Sequence, residues 1–345
     1  MGLAGNFRGN IFIKTLNKNL RSSAGSALSA GDYFLKKRIS LFFILFISQT
    51  LFSLDFFIAP YTGVMFGKLG EYLYDSSDSY ICSYLEWEEK PLCFIGLDAG
   101  LEHNNFQFDV AFDYTLPLAC GKMYDSDWNE DGIKHTYSIF ESNKNTLGLN
   151  TIINTQYSFP VTENFNITPA LQLQYNYYSF EARNGIGYYG SEAYTGQPDV
   201  WWNDESAKKY RVSGIDYLRH TFFTWIGSNF DYNFGKHSIG LGLFVAPFTY
   251  TSAIDYHTDE KNLGRDFSTQ FINIGFFKSY FFQLDYFCKI NEKLGLIINS
   301  KLISNNIIIG KTYSNNINYS WREINQPNGS DLIQAIVILN IIFYI

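Results

Sequence analysis

Cysteine is scarce in this chain, with four residues among 345. Cys82, Cys93, Cys120 and Cys288 lack the close, paired spacing of metal-binding motifs. If Cys82 and Cys93 lie on one extended strand, a rise of about 3.3 Å per residue separates them by roughly 36 Å, which excludes a disulfide between them. We therefore expect all four to be small apolar side chains without a metal or a disulfide partner.

Long hydrophobic runs and an excess of positive charge are also missing. No segment after residue 53 is apolar enough for a transmembrane helix, and the mean hydropathy is −0.11. The chain has 26 basic and 33 acidic residues, but residues 1–53 hold seven of the basic residues and one of the acids. The remainder is strongly acidic, which argues against a nucleic-acid partner and favours cationic substrates.

Aromatic residues are abundant instead, at 19% of the chain. Because the mean hydropathy stays low, apolar residues must be interleaved with polar ones, as in a sheet with one apolar and one wet face. Residues 106–114 and 167–177 alternate in this way with a period of two. A soluble sandwich would alternate too, but aromatic residues near strand ends are typical of the girdles of a membrane barrel.

The turn chemistry predicts the topology. Four short polar connections at 103–105, 160–164, 233–237 and 291–293 alternate with five longer polar segments at 68–79, 118–145, 183–214, 253–267 and 311–330. We therefore predict an all-β, ten-stranded antiparallel transmembrane β-barrel with both termini on the periplasmic side. A bulge is expected near Glu88-Glu89-Lys90. The predicted strands are 55–67, 80–102, 106–117, 146–159, 165–182, 215–232, 238–252, 268–290, 294–310 and 331–345.

The first 53 residues have a separate character. Residues 1–34 are polar and aperiodic, and they precede Lys36-Lys37-Arg38, an apolar run at 39–47 and the small cleavage-site segment Leu51-Phe52-Ser53. This pattern predicts a signal peptide over 35–53. We expect translation to start near Leu35, with 1–34 an upstream extension or a disordered leader, and the barrel to occupy 54–345.

Two polar motifs stand out in the predicted long loops. Asp125-Ser126-Asp127-Trp128 follows the third strand, and Asp255-Tyr256-His257 follows the seventh. Long loops of such a barrel open on one side, so the two motifs should meet at one mouth. A carboxylate pair that faces an Asp-oriented imidazole can polarise a water molecule for attack on a peptide carbonyl. Three carboxylates and an imidazole could also ligate a divalent metal, which is the competing interpretation.

The two motifs resemble those of the omptins, a family of outer-membrane proteases. The Asp-x-Asp-Trp and Asp-x-His segments are similar to the family's two catalytic motifs. Weaker similarity runs through residues 84–87, 178–185, 214–217 and 226–227, within a resemblance that covers about 55–345. It implies an aspartic endopeptidase without a cofactor, in the bacterial outer membrane, with catalytic residues Asp125, Asp127, Asp255 and His257 facing outward.

The resemblance also implies a preference for basic residues at the cleavage point. Glu71 matches one acid of the omptin substrate pocket and is the expected substrate-binding residue. Ala253 stands where a second acid is expected, so we predict only a tendency towards basic residues. His135 is expected to be an exposed loop residue rather than a replacement ligand.

The expected partners are peptide or protein substrates and outer-membrane lipids. Omptins generally need lipopolysaccharide, but Leu173, Tyr175 and Tyr177 replace the charged positions of its site, and His220 replaces an Arg. An aromatic belt cannot grip phosphate as Arg does, so a lipopolysaccharide requirement is doubtful. Two alternatives remain open: a non-catalytic omptin-like surface barrel that acts as an adhesin or binding protein, and a porin, although porins use wider barrels.

Overall fold

A computed structural model describes residues 55–257, 267–316 and 320–345. The predictions for the leader and the signal peptide, over 1–34 and 35–53, lie outside these residues. No helix in the described ranges is long and apolar enough to cross a membrane. The elements are β1 Asp55–Tyr74, β2 Ile81–His103, β3 Phe106–Thr115, β4 Met123–Trp128, β5 Lys134–Tyr157, β6 Phe159–Pro160, β7 Phe165–Tyr189, α1 Glu192–Thr195, β8 Lys208–Val212, β9 Ile215–Phe234, β10 His237–His257, β11 Phe267–Gly275, β12 Ser279–Asn291, β13 Leu294–Asn316 and β14 Arg322–Tyr344.

The strands form one antiparallel ring with ten positions. β3 and β4 share the third position, because both pair with β2 and with β5. β11 and β12 share the eighth, between β10 and β13. β14 pairs with β1 and closes the ring. The prediction of a ten-stranded antiparallel barrel is confirmed.

Alternation along the strands separates an apolar outer face from a polar inner face. On β3, Phe106, Phe108, Val110 and Phe112 are 37–48% exposed, whereas the residues between them point into the barrel. Such a contiguous apolar band suits lipid rather than water. The predicted bulge is also confirmed, since the β1–β2 register shifts where Phe66 lies opposite Lys90-Pro91.

The strands are much longer than the sequence predicted, and the long loops were placed wrongly. Residues 68–74, 134–145, 183–189, 253–257 and 311–316 are strand, and β4 also lies within the predicted loop 118–145. Beyond the lipid the outer face no longer needs apolar residues, so the alternation disappears while the hydrogen-bonded ladder continues. Ion pairs cover this extension, including Lys68–Glu86 at 2.7 Å, Lys122–Glu141 at 2.7 Å and Lys311–Glu323 at 2.9 Å.

Aromatic side chains fill the middle of the barrel. The Trp87 ring stacks on Tyr217 at 4.8 Å, and Trp225 packs edge-on against Phe281 at 4.9 Å while its Nε1–H donates to Gln174. A polar cavity of about 690 Å³ lies between this layer and the end that carries the termini of the barrel. The packed middle argues against a porin, since buried aromatic side chains occupy the lumen at this level.

Candidate active site

Strand β4 turns both carboxylates of the first motif into the barrel. Met123 is fully buried in the aromatic core. Because side chains two residues apart share a face, Asp125 and Asp127 follow Met123 to the inside. Asp125 is held between Leu85 of β2 and Ser138 of β5 in the strand ladder. The prediction placed these carboxylates in a loop, but they lie on a strand.

Strand β10 does the same for the second motif. Ala253, Asp255 and His257 share one face, and Ala253 is fully buried. Asp255 is 2% exposed. Its Oδ2 accepts a hydrogen bond from His257 Nε2 at 2.9 Å, and its Oδ1 accepts one from the Thr269 backbone N–H at 3.1 Å. Asp255 is thereby fixed by β11 and in turn fixes the orientation of the imidazole. This motif, too, lies on a strand end and not in a loop.

The two motifs face each other across the barrel. β4 occupies the third position of the ring and β10 the seventh, and both motifs lie at the end opposite Asp55 and Ile345. The charges of Asp125 and His257 shift each other's pKa, so the two side chains lie within electrostatic reach. The structure therefore brings together the four predicted catalytic residues.

Burial raises the pKa values of Asp125 and Asp127. Both residues lie above the lipid-facing band. Burial, followed by the neighbouring Asp127, raises the pKa of Asp125 to about 8. Burial also raises the pKa of Asp127, although the Ser83 hydroxyl opposes the shift. Two close carboxylates cannot both ionise cheaply, so the pair retains a proton near neutral pH.

The pKa of the His257 imidazole changes in the direction opposite to the effect of burial. Burial alone would lower the pKa of His257, but the hydrogen bond and charge of Asp255, together with the charges of Asp125 and Asp127, outweigh it and raise the pKa. The imidazolium form is thus stabilised by three carboxylates. A group of this kind can take a proton and hold it during a reaction.

Glu71, the predicted substrate-binding residue, lies one layer deeper. Its side chain points inward from β1 and is 0% exposed. Oε1 accepts hydrogen bonds from Arg219 Nη1 at 2.9 Å, Tyr217 Oη at 2.5 Å and Ser330 Oγ at 3.3 Å. The role of Glu71 stays a prediction, but its carboxylate is already engaged within the barrel.

Sequence reasoning missed two groups near the site. Arg219 shares an inner strand face with Tyr217, and the period of two along β9 could have revealed it. Lys134 lies 4.4 Å above the Tyr137 ring and is close enough for Asp125 and Asp127 to raise its pKa, although burial lowers the pKa overall.

His135 was placed wrongly in an exposed loop. It lies on β5, is half-buried, and its Nδ1 contacts Thr136 Oγ1 at 2.9 Å. The side chain thus belongs to the rim of the barrel wall.

No metal site competes with this arrangement in the described part of the chain. Among residues 55–257, 267–316 and 320–345, no group of three or more His, Cys, Asp or Glu side chains is arranged to hold a metal ion.

Comparison with known proteins agrees with the fold. The model of the Omptin family matches residues 53–333. The chain belongs to the omptin family. Its structure is similar to that of the outer membrane protease OmpT from Escherichia coli, with 16% identity, a TM-score of 0.73, and coverage of 84% of this chain and 97% of that one. Membership of this family and the barrel fold place this omptin in the bacterial outer membrane and support a proteolytic activity.

Two other solved barrels are much less similar to this omptin. The toluene transporter TodX of Pseudomonas putida has 6% identity and a TM-score of 0.30, covering 84% of this chain and 90% of that one. The translocator domain of the autotransporter NalP from Neisseria meningitidis has 6% identity and a TM-score of 0.32, with coverage of 82% and 88%. No curated protein matches the sequence.

Proposed function

We propose that this omptin is an endopeptidase that hydrolyses peptide bonds with a water molecule activated by His257 and Asp125. The observation that carries the proposal is the Asp255–His257 hydrogen bond facing the Asp125–Asp127 pair across one end of the barrel. This end points to the extracellular side if the termini of the barrel are periplasmic. The substrate would be a peptide or protein segment lying across the opening.

In the proposed mechanism each nitrogen of the His257 imidazole has its own role. Because His257 Nε2–H donates to Asp255, Nδ1 carries the lone pair and accepts the proton of the attacking water. The hydroxide attacks the scissile carbonyl carbon, and the imidazolium then returns its proton to the departing amine. No covalent enzyme intermediate forms, so the chemistry differs from that of a serine or cysteine protease.

The two carboxylates of β4 would bind the attacking water and the scissile carbonyl from the side opposite His257. Asp125 orients the water opposite His257, and Asp127 shares a proton with Asp125 and supports it. A carboxyl group that keeps its proton near neutral pH can donate a hydrogen bond to the developing oxyanion. These roles use amino-acid side chains alone, with no cofactor.

The preference for basic residues stays a prediction of the resemblance. Its support is the acidic surplus at the mouth, where three carboxylates face one imidazole. Against it stands the ion pair that already engages Glu71. Hydrolysis of paired peptides with Ala or Arg at the cleavage point tests the preference.

Aromatic side chains surround His220 on the outer face of the barrel. Tyr175 Oη contacts His220 Nδ1 at 2.7 Å, and the Tyr177 ring lies 4.9 Å from the same imidazole. Leu173 and Tyr175 are exposed on the outer face. This belt offers aromatic contacts and one imidazole instead of a cluster of cations, so we propose that the enzyme works without lipopolysaccharide.

Peptide hydrolysis by matched variants tests the function. Wild-type protein refolded in detergent should cleave a fluorogenic peptide library, and Asp125→Asn and His257→Ala should each lower kcat/KM by at least about 10³-fold. Glu141→Gln, which removes an outward carboxylate of the neighbouring strand, should keep the wild-type rate. Equal inactivity of all folded proteins would sink the proposal and favour the non-catalytic binding barrel.

A further inference from the structure

Four inward-facing side chains form a layer beneath the proposed catalytic groups. This layer, here called the subsite floor, consists of Glu71, Tyr217, Arg219 and Ala253. In the β9–β10 ladder Tyr217 pairs with Asp255, and Arg219 pairs with Ala253. Glu71 reaches this layer from β1 through its bonds to Tyr217 and Arg219. A substrate side chain that points from the catalytic groups into the barrel therefore meets the subsite floor first.

The subsite floor is closed. Glu71, Tyr217 and Ala253 are 0% exposed and Arg219 is 1% exposed. The Arg219 guanidinium is held by three further contacts besides Glu71: Nε donates to Thr221 Oγ1 at 3.3 Å, Nη1 to Tyr217 Oη at 3.5 Å, and Nη2 to the Asp331 carbonyl oxygen at 3.4 Å. A long substrate side chain has no channel through this layer, so the space above it is shallow.

The subsite floor also lacks an uncompensated negative charge. Glu71 lies 2.9 Å from the Arg219 guanidinium, which cancels its charge. The next inward carboxylate, Glu89, lies deeper, beyond the fully buried Trp87 on the same strand, and Gln334 Nε2 donates to it at 2.8 Å. A lysine or arginine side chain entering from the mouth would therefore find no free carboxylate in the subsite floor to compensate its charge when it leaves water, which is unfavourable.

We infer that Arg219 is the specificity-determining residue of this site and that the subsite floor selects small, uncharged side chains next to the scissile bond. Ala253 on β10 pairs directly with Arg219 on β9 in the strand ladder. The small Ala253 side chain therefore lies beside the arginine of the subsite floor. The inference rests on the proposed endopeptidase activity and reverses the expected tendency towards basic residues.

Paired peptides and charge variants test the inference. Two quenched fluorescent peptides that differ only in Ala or Arg at the cleavage point are incubated with the refolded protein, and kcat/KM is measured for each. We expect the wild type to prefer the Ala peptide by about 100-fold. Arg219→Gln, which removes the cation paired with Glu71, should move this ratio towards the Arg peptide by at least about tenfold.

The double variant Glu71→Gln, Arg219→Gln provides the matched control. It removes both charges and leaves no buried unpaired ion, so it should fold even if Arg219→Gln does not, and it should move the ratio less than the single variant does. A wild type that prefers the Arg peptide overturns the inference while leaving the endopeptidase intact. A wild type that cleaves neither peptide nor any member of the library overturns both.

Discussion

Asp255 orients the imidazole of His257 through a hydrogen bond. It accepts from His257 Nε2 and is itself held by the Thr269 backbone N–H. The carboxylate therefore selects the tautomer with a basic Nδ1 and stabilises the imidazolium that forms. Its contribution should appear in turnover and not in substrate binding.

The variant Asp255→Asn tests that contribution. The asparagine amide can donate towards Nε2 and select the wrong tautomer, so we expect kcat to fall by about 10³–10⁴-fold with KM changed less than about threefold. The neighbouring variant Tyr256→Phe should keep the wild-type rate. A kcat for Asp255→Asn within about tenfold of wild type would show that the ring is oriented by something else.

The raised pKa of Asp125 also makes stability depend on pH. Asp125 titrates near 3.8 when unfolded and near 8 when folded, so between these values only the folded protein keeps the proton. Folding stability due to this group is full below about pH 4 and is lost as the pH rises to about 8. The raised pKa of His257 acts in the same direction above its ordinary value.

Urea unfolding of Asp125→Asn measures this dependence. The asparagine has no proton to lose, so the variant should gain stability relative to wild type between pH 5 and pH 9, with a higher urea midpoint at pH 9. Glu141→Gln, an exposed carboxylate, should show no such gain. If the wild-type and Asp125→Asn midpoints change in parallel with pH, the carboxyl of Asp125 does not retain its proton in the folded barrel.

At the scale of the strands, the site depends on how β1 and β14 close the ring. At Gly67 an added Cβ would lie 2.3 Å from the Ile333 carbonyl oxygen and 3.0 Å from the Gln334 Cα. Both neighbours belong to the backbone of β14 and cannot turn away. The seam between the first and last strands therefore requires glycine at this position.

We predict that Gly67→Ala impairs barrel closure. The refolded fraction, measured by the mobility of unheated samples in detergent gels, should fall at least about fivefold, because the clash costs at least about 1 kcal/mol. Gly196→Ala is the control: its φ is 71° and the surrounding space is open, so the substitution strains only a turn after α1 and leaves the β1–β14 seam intact. Its refolded fraction should stay within about twofold of the wild type. Equal refolding of Gly67→Ala and wild type would show that the seam relaxes.

The whole molecule is divided into a lipid-facing band and a polar extension. Leu243 is 48% exposed on the band, and Tyr210, also 48% exposed, lies on β8 in the extension. A charge on the band must be buried in lipid, whereas one on the extension stays in water. A charged substitution should therefore destabilise the barrel more in the band than in the extension, even at positions of equal exposure.

Arginine scanning of the two zones tests this division. Leu243→Arg should destabilise the barrel in lipid vesicles by about 2–4 kcal/mol, measured by urea titration, whereas Tyr210→Arg should change stability by less than about 0.5 kcal/mol. Similar losses at both positions would contradict the assigned boundary of the membrane.

The outer belt around His220 leads to a prediction about activation. If aromatic contacts replace phosphate-binding cations, activity in detergent should change less than about twofold when lipopolysaccharide is added. His220→Arg, which places a permanent cation beside Tyr175 and Tyr177, should bind the glycolipid more tightly. A strong rise in wild-type activity on addition would contradict lipid independence.

The membrane part of each strand was predictable because lipid imposes a period of two. Residues 106–115 show it in full, and the structure reproduces this strand within two residues of the prediction. The extension was not predictable, since water on both sides of the wall removes the pattern that identifies a strand. This is why β4 and the ends of β1, β5 and β10 were assigned to loops.

The sequence predicted which residues form the candidate site, but it did not predict the buried layer beneath them. Asp125, Asp127, Asp255 and His257 could be selected because two short polar motifs follow apolar strands and resemble the two omptin motifs. The ion pair between Glu71 and Arg219 joins residues 148 positions apart, and nothing local to either indicates the other. Glu71 alone suggested an acidic subsite, whereas the pair has no net charge.

The amino-acid order alone determined the antiparallel barrel, its ten strand positions and the two motifs of the opening, because each is a short-range pattern of polarity and turn residues. Only the closed ring decided that these motifs face one another and that an arginine from β9 meets Glu71 of β1. Those contacts follow from the register and curvature of ten paired strands, which no single segment of the chain contains.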